Sequence, residues 1–211
     1  MSRPPQSETG QATPLYITTV VGLLFVALAF FAFGQADVVR NGAQSAADAA
    51  ALAAAQESRD QLRDDFLSKI LDDGYLEGIF DGNVTGPPGC GAAGAFAASN
   101  EAQVTGCASL NDGRWGVMVS VRSQDPVGDT VLSGTESMYA EAEATAVVEP
   151  RCAFEPNEDA GEPPDGGEEG GDEKPSPGTF VCDGKPWIID PTHLDLLPDM
   201  NDLFAVRLAE D

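Results

Sequence analysis

Residues 15–33 read LYITTVVGLLFVALAFFAF, and residues 40–71 read RNGAQSAADAAALAAAQESRDQLRDDFLSKIL. No charged residue stands between Glu8 and Asp37. At ~1.5 Å per helical residue the first run nearly crosses a hydrocarbon layer of ~30 Å, so residues 14–35 are expected to form a transmembrane helix. Pro14 sits at its start, where the missing N–H has no intrahelical partner to lose. A buried globular helix would need a core deep enough to surround it, and a chain with 7% aromatic residues offers little of one. A cleavable signal peptide has Gly34-Gln35-Ala36 in its favour, but its apolar stretch is usually only ~7–15 residues long and its leader more basic than Arg3 offset by Glu8.

The second run carries nine Ala within Ala43–Ala55 and meets no Pro before Pro87. Helix propensity therefore stays high through about Leu71, and one helix half in lipid and half in water is expected, with residues 36–73 as its external part. In that part Ala47, Ala51, Ala55, Leu62, Phe66 and Ile70 recur at helical spacing, while Glu57, Asp60, Arg63 and Asp64 point largely elsewhere. The Ala end permits close approach of another backbone; the Leu and Phe end supplies apolar area. Gly74, after Asp72 and Asp73, suits a left-handed helix stop. Asp37, Arg40 and Asp48 are expected at the membrane boundary, solvated there or paired across subunits.

After a Gly, Pro and Ala-rich crossing from Gly82 to Ala98, the periodicity alternates. Residues 74–152 are expected to supply antiparallel strands. Cys107–Leu110 and Trp115–Arg122 read as two of them around an Asn111–Arg114 turn, with Trp115, Val117, Val119 and Val121 on one face. Tyr139–Val148 alternates Ala140, Ala142, Ala144 and Ala146 against Glu141, Glu143 and Thr145. An all-Ala strand face fits a backbone held very near, and the Ala-rich helix offers one, so these two surfaces are expected to dock. Residues 153–178 are expected to form a disordered acidic loop: Phe154–Lys174 holds nine acids and no base before Lys174, amid Gly and Pro. In residues 179–211, Thr179–Cys182, Trp187–Asp190 and Leu203–Leu208 are expected strands, the last turning Phe204, Val206 and Leu208 inward.

Eleven Lys and Arg against 35 Asp and Glu leave a formal charge of −24, which removes the surface that nucleic acid requires. Cys90, Cys107, Cys152 and Cys182 all follow the apolar run and none belongs to a CxxC pair, so zinc and thioredoxin-type readings fail on spacing. Two disulfides in an oxidising compartment account for them better, with the N-terminal residues 1–13 as a short cytoplasmic tail and the body outside. Of three connectivities, Cys90–Cys107 with Cys152–Cys182 is favoured, since each closes a Gly-rich loop without crossing the other.

Catalysis lacks its ingredients. His193 is the only histidine, placed after a proline turn, and one imidazole cannot build a His-based metal cluster. No nucleophile-elbow, zincin, P-loop or dinucleotide-binding signature occurs, and Glu141 and Glu143 share one strand face instead of opposing each other. The acidic loop lacks the EF-hand order of acids, so no metal and no cofactor is expected. Asn83-Val84-Thr85 matches the N-glycosylation pattern, which short chance matches render weak.

Glu8-Thr-Gly10-Gln-Ala-Thr-Pro14, the apolar span, and Gln35-Ala-Asp37-Val-Val-Arg40-Asn-Gly-Ala-Gln-Ser-Ala-Ala-Asp48-Ala-Ala-Ala-Leu52-Ala together resemble the N-terminal region of TadE/TadG-like pilus assembly proteins. The resemblance implies an envelope-anchored accessory or minor pilin-like component of a bacterial tight-adherence, Flp-type pilus or related secretion system. It implies no catalysis, with the bilayer and other pilus or secretion components as partners and self-association open. Two features depart from the family pattern. No DxSxS motif or room for a von Willebrand factor A-like domain is present, and Leu15 stands where prepilin processing after Gly10 would want Glu. The expected fold class is α+β: one transmembrane helix continuing as a long amphipathic helix on a small antiparallel sheet, pilin-like and disulfide-stapled. A membrane-anchored binding module using the acidic loop is the alternative function.

Overall fold

The computed structural model describes residues 12–82, 84, 86–126, 128, 135–157 and 175–209. Helix α1, Ala12–Gln61, runs unbroken for 50 residues. It joins the apolar run to the Ala-rich run because neither contains Pro after Pro14 and the single glycines at Gly22, Gly34 and Gly42 each cost only ~1 kcal/mol relative to Ala. One hitch follows. Leu62 donates its N–H to the Arg59 carbonyl, a tightened three-residue step, before α2, Arg63–Lys69. The expected helix to about Leu71 is therefore two helices, and the step keeps Leu62, Phe66 and Ile70 all buried. Gly74 is left-handed, at φ 73°, but it does not cap the long helix: α2 already ends at Lys69 with Ile70 right-handed, and Gly74 instead precedes α3, Tyr75–Phe80.

The region expected as strands alone holds two helices. Besides α3 there is α4, Cys90–Ser99, in what reads as a Gly/Ala crossing. Its Gly91 and Gly94 weaken the helix intrinsically, but Ala93 and Ala97 are fully buried, and α4 packs along α1. Tertiary burial outweighs local propensity here. Gly89, just before α4, lies so close to α1 that a Cβ would come 2.4 Å from the Ala54 carbonyl oxygen.

Strands β1, Ala102–Ser109, β2, Gly116–Ser123, and β3, Glu141–Pro150, form an antiparallel meander. β1 starts earlier than expected at Cys107. The chain then leaves β3 through Arg151 and enters β4, Cys152–Pro156, which pairs with β5, Gly178–Cys182, and that with β6, Lys185–Ile188. β4 is a correction to the loop expected from residue 153: pairing with β5 and half-burial of Phe154 fix it as strand. The acidic residues 158–174, and with them most of the expected disordered loop, lie outside the described residues, as do Asn83 and Thr85 of the glycosylation pattern. A short helix, α5, Met200–Leu203, precedes β7, Phe204–Leu208, which completes the first sheet in the order β1-β2-β3-β7. The C-terminal part is thus not strands alone.

The Ala face of β3 docks on α1, with Ala144 and Ala146 buried and Ala142 half-buried. Trp115, Val117, Val119 and Val121 turn the same way. An aromatic cluster closes the far end of this core: Phe80 stands 5.2 Å from Phe180 and 5.3 Å from Phe204, ring centre to ring centre, and Trp115 meets Phe204 edge-on at 5.5 Å.

Candidate functional site

Along α1 two environments meet. Residues Pro14–Phe31 have a mean hydropathy of 2.2 and bury none of themselves against the rest of the chain. From Ala43 the helix is enclosed: Ala43, Ala46, Ala47, Ala50, Ala51, Ala53, Ala54, Ala55 and Ser58 are all buried. The sequence stripe of Ala47, Ala51 and Ala55 is one part of this set. Ala46, Ala50 and Ala54 add to it, because α4 covers the helix on a side where no partner is legible in the sequence. The Ala-rich half of α1 is therefore not amphipathic in the simple sense of one apolar stripe, and its small side chains serve contacts within the chain.

Both disulfides join as the sequence favours. Cys90 bonds Cys107 and Cys152 bonds Cys182, at sequence separations of 17 and 30. The first ties α4 to β1; the second ties β4 to β5, where the two cysteines face each other across the ladder.

Asp37 and Arg40 are exposed on α1 just beyond the apolar run. Asp48 does not join them. It lies ~17 Å further along the helix than Asp37, half-buried, and its carboxylate accepts from Gln44 Nε2 at 2.9 Å. The same amide reaches the Glu143 carbonyl at 3.3 Å, so this part of the helix fastens to β3.

The remaining polar groups make structural pairs. Arg207 holds Glu149 through Nε at 2.6 Å and Nη2 at 2.5 Å, which keeps the Glu149 carboxyl below the usual range. Burial raises the Tyr75 phenol, with the adjacent Asp65 carboxylate adding to it. In the turn at the C-terminal side, Asp190 accepts from the Thr192 hydroxyl at 2.6 Å and backbone N–H at 2.8 Å, and faces His193 Nδ1 at 2.8 Å. These bonds, Thr192's first, pull the Asp190 carboxyl to about 2, and Asp190 raises His193. The trio is exposed, and Thr192 and Asp190 both address the same ring nitrogen. A triad needs nucleophile and acid on opposite nitrogens, so this is a turn cap. Among the described residues no three His, Cys, Asp or Glu side chains converge as a metal site.

A cleft of about 410 Å³ lies between the α2–α3 turn and β4, lined by Asp72, Asp73, Glu77, Phe154, Pro156 and Pro177. Among the described residues its lining holds these acids, prolines and Asn157, with no Lys, Arg or His and no hydroxyl or thiol. The features that the sequence left unmarked are packing ones: α4, the buried Ser58, and Phe80 at the centre of the aromatic cluster. Gly86 and Gly89 were a usable signal, since crowded glycines at helix approaches often record a close neighbour.

Residues 10–57 match the family described as "Putative Flp pilus-assembly TadE/G-like". The matched segment is the apolar run and the enclosed Ala-rich part of α1. No curated protein matches the chain, and no solved structure does.

Proposed function

We propose that this chain, carrying the pilus-assembly match at residues 10–57, is a membrane-anchored structural or assembly component of a Flp/Tad-type pilus or related secretion system. It works through helix-mediated association and not through catalysis. The observation that carries the reading is the division within α1: Pro14–Phe31 is long, apolar and unburied, while the same helix from Ala43 is the spine of a folded head. An apolar surface of that extent has no place in water. Lipid satisfies it, with the N-terminal residues inside and the disulfide-bonded head in the oxidising space outside.

Association then falls to the span, because β2, β3 and α4 already occupy the Ala-rich face of the head's helix. Gly22, Ala27 and Ala29 are small enough to let neighbouring membrane helices come close. The partners fitting this role are other pilus or secretion components, whose genes are expected alongside, including a secretion ATPase and inner-membrane platform proteins.

The reading is tested by replacing residues 14–33 with a cleavable signal peptide. The intact chain is expected to stay with membranes through alkaline carbonate washing, its head open to protease from outside, and to restore pili to a deletion strain. The exchanged chain is expected to be exported folded and disulfide-bonded, yet to restore none. Full restoration by the exchanged chain sinks the proposal.

A further inference from the structure

An unbroken α1 also fixes how high the head stands above the bilayer. At ~1.5 Å per residue, Gln44 lies ~17 Å beyond Phe33, the last residue of the apolar run. There Gln44 Nε2 meets the Glu143 carbonyl. Further up the helix by ~21 Å, Ser58 meets Trp115, whose carbonyl accepts the Val148 N–H. β3 therefore climbs beside α1, with Glu143 low and Val148 high, and the residues preceding it descend toward the membrane. The ladder to β2 persists to Ala140, whose carbonyl accepts the Ser123 N–H. At ~3.3 Å per extended residue Tyr139 sits ~13 Å below Glu143 and ~30 Å below Val148, which puts it ~4–8 Å above the level of Phe33.

That height is the headgroup layer, which extends ~5–7 Å beyond the hydrocarbon. Met138 is 58% and Tyr139 40% exposed there, and the Arg122 guanidinium lies 4.1 Å from the Tyr139 ring centre. We infer that Met138, Tyr139 and Arg122 form a second contact with the bilayer, seating the lower rim of the head in the headgroup layer of the membrane that α1 crosses. The contact rests on the anchored reading proposed above. A thioether and a phenol ring that joins an apolar body to one polar group suit this layer, and Arg122 reaches the same zone along its apolar stem. Glu101, Asp125 and Glu141 flank them, so the lipid addressed is zwitterionic, not strongly anionic. With span and rim both engaged, the head is held in one orientation instead of pivoting about α1.

Phe96 and Leu196, also exposed, stand clear of this layer. α4 descends from Gly89, which is level with Ala54, so Phe96 remains ~20 Å above Phe33. Leu196 belongs to the opposite end, near Asp199, which pairs with Arg63 at 2.8 Å.

The four native cysteines are disulfide-bonded, so one introduced thiol takes a fluorescent label alone. Full-length chain with Met138→Cys, Phe25→Cys, Phe96→Cys or Leu196→Cys is labelled and reconstituted into vesicles of phosphatidylcholine and phosphatidylethanolamine. Labels at 25 and 138 are expected to lose emission to nitroxide-bearing lipid and to resist aqueous iodide; labels at 96 and 196 are expected to do the reverse. If 25 is quenched by lipid while 138 is as open to iodide as 196, the rim contact is refuted and the anchor stands. If 25 itself escapes lipid quenching, the anchor falls and takes the rim contact with it.

Discussion

The Trp115 indole N–H donates to the Ser58 hydroxyl at 3.1 Å, joining the end of the Ala-rich helix to the start of β2, and both residues are buried. Ser58 is the one polar side chain buried in the described core. Ser58→Ala leaves the indole N–H without a partner and is expected to cost about 1–3 kcal/mol. Gly86 closes the pocket, a Cβ there coming 2.7 Å from the Ser58 hydroxyl, so water has no room to replace the lost bond. Urea unfolding of the detergent-solubilised chain measures the loss. A change near zero would show that this bond does not hold the two elements together.

The Ala-rich contact between α1 and the sheet makes side-chain size the sensitive variable. Ala51 is fully buried and Ser45, six residues earlier, exposed. Ala51→Leu is expected to destabilise by about 1–3 kcal/mol through overpacking, since backbone on either side has little freedom to retreat. Ser45→Leu is expected to leave the unfolding midpoint nearly unchanged. Equal midpoints for the two variants would contradict the close docking of α1 on β3.

How far the sequence carries the reader depends on whether the signal is local. The apolar run, the Ala block and the Val117, Val119, Val121 alternation each express one periodicity over enough residues to be read directly. The cysteine pairing is legible because each loop closes without crossing. α4 is not: Gly91 and Gly94 look like a loop until α1 covers Ala93 and Ala97. β4 is hidden for the same reason, as Cys152–Pro156 reads with the acidic stretch until β5 pairs with it. Asp48 resembles Asp37 and Arg40 in sequence, and only the bond from Gln44, which also reaches Glu143, separates it from those exposed charges.

Two staples close loops of different length, which orders their effects. Removing Cys90–Cys107, at a separation of 17, is expected to cost about 3 kcal/mol by loop entropy, and removing Cys152–Cys182, at 30, slightly more. Paired Cys→Ala variants, unfolded beside the native chain, give both values. The second bridge spans residues 158–174, so its loss is also expected to speed protease cleavage within 153–181 selectively. Uniform cleavage along the chain would count against separate roles for the two bridges.

His193 is the only histidine in the sequence, so its ring signal can be followed without assignment. Asp190 raises it above the ordinary 6.5, and Asp190 itself is drawn to about 2 from 3.8. A raised histidine stabilises the fold fully below its unfolded value and loses that contribution as pH climbs through the folded one. A depressed carboxyl contributes above its unfolded value and loses this as pH falls through the folded one. The turn is thus held best between about pH 4 and 6.5, where both groups are charged. A proton NMR titration is expected to give His193 a midpoint above 6.5 that Asp190→Asn brings back toward 6.5. Thr192→Ala is expected to act on the acid side instead, raising the pH at which the Asp190 carboxyl protonates, because it removes the Thr192 hydroxyl, the largest stabiliser of that carboxylate, while the backbone N–H stays. If Asp190→Asn leaves the His193 midpoint in place, the pair does not govern the turn.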